Sequence, residues 1–109
     1  MKLIMAIVSS DDAQNVIKSL TQEGFLITKL ATTGGFLMSG NVTIMTGVDD
    51  NRVDDAINII RETSKSRSQS VPTISESSSI GGFLNAPLVE VTVGGATIFV
   101  LPVDRFEKI

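Results

Sequence analysis

The densest grouping of residues able to meet a ligand is Thr32-Thr33-Gly34-Gly35-Phe36-Leu37-Met38-Ser39-Gly40. Consecutive glycines let backbone N–H groups approach a phosphate without side-chain obstruction. Phe36 and Leu37 are bulky and apolar at the tip of a loop, where they could clamp a flat ring or pack against a neighbouring subunit. Thr28, Thr32, Thr33, Asn41 and Thr43 lie around them and offer short neutral donors and acceptors suited to base or phosphate edges. Threonine is also a good strand former, and a plain turn between strands accounts for the glycines equally well. The spacing is neither that of a Walker loop nor that of a dinucleotide fingerprint. The loop leads into a strand, so no helix dipole would add to an anion site.

The other charged groups point away from catalysis. Asp11-Asp12, Asp49-Asp50 and Asp54-Asp55 stand at the starts of helical patterns, where negative charge caps free N–H groups and offsets the dipole. Lys29 and Arg52 are the cations nearest these segments, and a lone lysine on a strand reads as a solvated edge. The chain has no His and no Cys, which removes imidazole bases, thiolate nucleophiles and the common zinc ligands. No enzyme activity, metal or cofactor is therefore expected. Nine basic against twelve acidic residues give a net charge of −3, which argues against general attraction to DNA, RNA or anionic membrane.

Stepping outward, these residues need strands and helices to hold them. Leu3 to Val8 is a short Ile- and Val-containing run that reads as a strand buried on both faces. Behind a cap at Ser10, Asp11 or Asp12, the spacing of Ala13, Val16, Ile17 and Leu20 predicts a helix that Gly24 stops. Phe25 to Ala31 reads as a second strand, leading into the Gly-rich loop at 32–41. Sliding the chain by 40 residues then matches Ile4, Met5, Val8 and Ile17 to Ile44, Met45, Val48 and Ile57. Val53, Ala56, Ile57 and Ile60 repeat the first helical face behind Asp49-Asp50, so a strand–helix unit is used twice.

Residues 64–87 hold eight serines, Pro72, Pro87 and Gly81-Gly82, and carry no helix or strand pattern, which predicts a long functional or mobile loop. Val89, Val91 and Val93 alternate with Glu90 and Thr92 in a strand from Leu88 to Val93. Gly94-Gly95 predicts a two-residue hairpin turn into a returning strand from Ala96 to Val103. At 109 residues one core is expected, hence a single domain over 1–109. The order favours an α+β class, a ferredoxin-like βαββαβ sandwich with both helices on one sheet face and a long inserted loop. Too many strand residues are apolar on both sides for one face to stay naked, which predicts a homo-oligomer. The N-terminal apolar run is short for a signal peptide and no run approaches a membrane span of ~20 residues, so a cytoplasmic location without membrane insertion is the expectation.

These residues resemble the PII-like cyclic di-AMP receptors of Gram-positive bacteria. The likeness runs through Met1-Lys2-Leu3-Ile4, the specific run from Lys29 to Leu37, Gly40-Asn41, Val93 to Val100 and Pro102-Val103-Asp104, and so covers essentially the whole chain. It implies a homotrimer with three ligand sites in clefts between subunits, flanked by mobile loops, here residues 64–87, and an unknown downstream protein that reads the bound state. The resemblance places Thr28, Gly35, Phe36, Leu37, Asn41 and Gly47 around cyclic di-AMP. Backbone N–H groups at Gly35, Phe36 and Leu37 would meet a phosphate or base edge, and Phe36 and Leu37 would pack on an adenine. Thr28 and Asn41 would bond its polar edges, and Gly47 would allow close approach. Family members commonly carry Asn and Arg just after the first helix, where this chain has Gly24 and Leu26. The loss of a cation there keeps an alternative open: a divergent paralogue that binds another nucleotide or a protein partner instead.

Overall fold

The computed structural model describes residues 1–30, 40–72 and 88–109. It is a small α+β structure with two α-helices and two antiparallel sheets. The larger sheet is built from β1 (Lys2–Ser9), β2 (Thr28–Leu30), β3 (Asn41–Val48) and β6 (Ala96–Pro102), in the spatial order β2-β3-β1-β6. That order, with every pair antiparallel, agrees with the ferredoxin-like expectation. The smaller sheet is a two-stranded ribbon of β4 (Arg67–Pro72) and β5 (Leu88–Val93).

Helices α1 (Ser10–Gln22) and α2 (Val53–Thr63) follow β1 and β3 as the repeated strand–helix unit requires. In the β1–β3 register Met5 lies opposite Met45, the residue 40 positions on. An approximate two-fold therefore passes between them and relates the two units. The two helices supply Ala13, Val16 and Leu20, and Ala56 and Ile60, to a core closed by Ile4, Ala6 and Val8 of β1 and by Ile44 and Val48 of β3. Ile17 and Val53 pack at its margin as the periodicity predicts. Ile57 is instead half-buried outside the core, beside Ile98, and Ile59 packs where it was expected.

Four expectations need correction. The cap of α1 is Ser9, whose hydroxyl accepts from the Asp11 N–H at 3.3 Å; Asp12 is buried and pairs with Arg67 through both carboxylate oxygens. Among the described residues the second strand begins only at Thr28 and runs Thr28–Leu30, because Phe25 turns into the core; Ala31 lies outside the described residues. The predicted hairpin at Gly94-Gly95 does not form. β5 pairs with β4 and β6 with β1, so the two glycines carry the chain from one sheet to the other. The stretch 64–87 accordingly contains a strand, β4, while residues 73–87 lie outside the described residues.

Why β4 forms at the base of that stretch can be read from its anchors. The Gly95 N–H donates to the carbonyl of Ser64, and the Ser64 hydroxyl donates back to the Ile60 carbonyl at the end of α2. Arg67 then reaches across to Asp12 on α1, donating from Nη2 at 3.1 Å and from Nη1 at 3.3 Å. The carboxylate holds the guanidinium pKa above its ordinary value, by hydrogen bond first and by charge second. Gly94 makes this possible, since a Cβ there would stand 2.5 Å from Arg67 Nη1 and 2.7 Å from the Lys65 carbonyl oxygen.

Candidate functional site

Helix α1 ends in a pattern that fixes the entry to β2. Gly24 at φ +89° lets its N–H bond the Thr21 carbonyl, while the Phe25 N–H reaches back to Leu20. Phe25 drops into the core and Leu26, 79% exposed, is left at the surface. Two residues later Thr28 begins β2 in register with Met45.

Register decides which side of the sheet each candidate residue faces, because paired residues of antiparallel strands project to the same side. The helices cover the side of Ile4, Ala6, Val8, Ile44 and Val48. The opposite, open side carries cross-strand rows. One runs Thr28, Met45, Met5, Phe99; the next runs Leu30, Thr43, Ile7, Thr97; and a third joins Gly47, Leu3 and Leu101. Asn41 and Ser9 begin a fourth. Thr28, Asn41 and Gly47 are thus placed on one face, at the β2–β3 side of a floor of Leu3, Met5 and Ile7. Leu30, Phe99 and Leu101 on this face are exposed. Gly35, Phe36 and Leu37 lie outside the described residues.

At the Gly47 end of this face opens a cleft of about 230 Å³, lined by Gly24, Leu26, Gly47, Asp49 and Arg52 among others. Arg52 ends the short 3-10 turn Asp50–Arg52 that precedes α2. Its guanidinium lies 4.2 Å from the centroid of the Phe25 ring, and its Nη2 donates to the Glu23 carbonyl at 3.2 Å. The acidic run before α2 was legible as a helix start, but its arginine gave no signal of a place in the site. The fold brings it there by stacking on an aromatic residue 27 positions earlier. Among the described residues no group of three carboxylates or other ligating side chains could hold a metal ion, and no helix is long and apolar enough to cross a membrane.

An open sheet face with hydroxyl, amide and backbone groups at one side, and a cleft beside it lined by both Arg52 and Asp49, offers donors and acceptors to a polar ligand. Comparison gives the family. The chain matches the cyclic-di-AMP receptor family over residues 1–109, its whole length, and belongs to that family. Among solved structures it is similar to a functionally unknown protein from Pediococcus pentosaceus ATCC 25745, with 38% identity, 99% of this chain and 96% of that one covered, and a TM-score of 0.75.

Proposed function

We propose that this chain is a cyclic di-AMP signal receptor that works as a PII-like homotrimer in the cytoplasm, holding the dinucleotide between neighbouring copies and catalysing no reaction. The observation that carries the reading is the match to the receptor family along the entire chain. The placement of Thr28, Asn41 and Gly47 on one open face supports it. Thr28 and Asn41 hydrogen-bond adenine edges there, Gly47 admits the ligand closely, and, as the family resemblance implies, backbone N–H groups of Gly35, Phe36 and Leu37 meet a phosphate or base edge while Phe36 and Leu37 pack on an adenine. The cleft of about 230 Å³ lies below the roughly 300–1,000 Å³ of sites that enclose a whole ligand of drug size. It takes one end of a dinucleotide, and a neighbouring copy covers the rest. The bound state passes through residues 32–41 and 64–87 to a downstream protein.

Calorimetric titration with cyclic di-AMP at near-physiological salt, with cyclic di-GMP and ATP as controls, tests the reading. Selective binding at micromolar or lower concentration, one ligand per protomer, is the expected result. Absence of binding at high micromolar ligand contradicts it.

Gly24 and Leu26 favour a second reading, a family member that has exchanged its ligand. Nothing lies within 4 Å of a Cβ built at Gly24, and Leu26 presents an apolar side chain to the cleft. On that reading the unsubstituted protein stays silent in the titration and the double variant G24N/L26R gains cyclic di-AMP binding.

A further inference from the structure

We infer that Arg52 is a ligand-binding residue, the cation that meets a phosphate of the bound dinucleotide; the inference rests on the receptor reading above. Position 26 offers no charge, and Arg52 is the cationic side chain among those lining the cleft that also holds Gly24, Leu26 and Gly47; the other cation there, the Met1 ammonium, is already paired with Asp50 at 3.0 Å. Its placement is prepared before any ligand arrives. The Phe25 ring supports one face of the guanidinium, the Glu23 carbonyl takes one N–H from Nη2, and Asp55 stands 3.8 Å from Nε. These contacts occupy the Nη2 and Nε side and fix the plane of the group. No described residue accepts from Nη1, so this donor of a cleft-lining side chain has no described partner.

The chemistry suits a phosphodiester better than a base edge. A guanidinium offers parallel N–H donors to two phosphate oxygens, and one already stacked and hydrogen-bonded loses little rotamer freedom on binding. The side chain is about two-fifths exposed, so a ligand reaches it without displacing a buried contact. Its neighbour Asp49, which also lines the cleft, disfavours a second anion and confines the phosphate to the arginine side. Leu26 then provides an apolar wall against the ribose or the adenine.

The test compares the unsubstituted protein with R52Q, R52K and the double variant L26R/R52Q, each titrated with cyclic di-AMP at two salt concentrations and each melted without ligand. R52Q is expected to weaken binding about 10- to 100-fold, the loss of a charge-assisted contact, and to flatten the salt dependence. R52K keeps the salt dependence and recovers part of the affinity. L26R/R52Q regains affinity over R52Q because a guanidinium is returned to the same cleft. If the unsubstituted protein binds and R52Q binds equally well with the same salt dependence, the assignment of Arg52 is overturned while the receptor reading stands. A lower melting temperature with unchanged affinity gives Arg52 a structural role only and overturns the assignment too. If the unsubstituted protein binds no cyclic di-AMP, both fall together.

Discussion

Two glycines at nearly the same positive φ separate conformational need from close approach. Gly24, at φ +89°, has open space where a Cβ would go, so G24A meets only backbone strain, about 1 kcal/mol. Gly94, at φ +81°, would put its Cβ 2.7 Å from the Lys65 carbonyl oxygen, a backbone atom with no rotamer to escape into. G94A should therefore lower the melting temperature distinctly more than G24A, and equal shifts in thermal melts would contradict the close approach. Gly24 was legible from its position after a helical pattern. Gly94 was legible as a residue at positive φ but not in its role, because the groups it touches come from a segment almost thirty positions earlier. The same limit applies to Asp12. Near a helix start an aspartate reads as a cap, and only the folded chain brings Arg67 to it. Of the six candidate ligand residues, five had types suited to a nucleotide while Gly47 came only from the family resemblance, and that Thr28, Asn41 and Gly47 share a face needed the register.

At the level of elements, the two strand–helix units were legible because their apolar spacing is set by one core and nothing else competes for those positions. The ribbon was not. β4, Arg67-Ser68-Gln69-Ser70-Val71-Pro72, is mostly polar, and Arg67 to Ser70 are exposed, so no burial imprints an alternation on it. β5 shows its alternation but not its partner, and a Gly-Gly pair between two strands satisfies the hairpin rule equally when the strands part into different sheets. The Asp12–Arg67 pair is what ties the ribbon to α1. Removing Arg67 strands a buried carboxylate, whereas D12N leaves Arg67 free to find water. R67M should therefore cost more thermal stability than D12N. Both should speed amide hydrogen exchange in β4 and β5 while leaving β1 and β3 protected. Faster exchange spread evenly over all strands would mean that the pair serves the whole core and not the ribbon.

For the molecule as a whole, the larger sheet has one face covered by its helices and one that, among the described residues, is without such cover. The sequence revealed this as strands apolar on both sides, since alternation reports how many faces are buried. It does not report how many copies would bury them, which is why the proposed trimer rests on the family resemblance and not on periodicity. The rows of the open face place Phe99 in line with Met5, Met45 and Thr28, joining the apolar floor to the side that carries Thr28. A charge at Phe99, half-exposed in the single chain, should prevent another copy from seating there. The measurement that tests the account most directly is native mass spectrometry of the unsubstituted protein and of F99D, each with and without cyclic di-AMP. The account predicts a trimer that takes up three dinucleotides, and a monomeric F99D that takes up none. A folded monomer of either protein that binds cyclic di-AMP with full stoichiometry would contradict it, because the ligand would then need no second copy to complete its site.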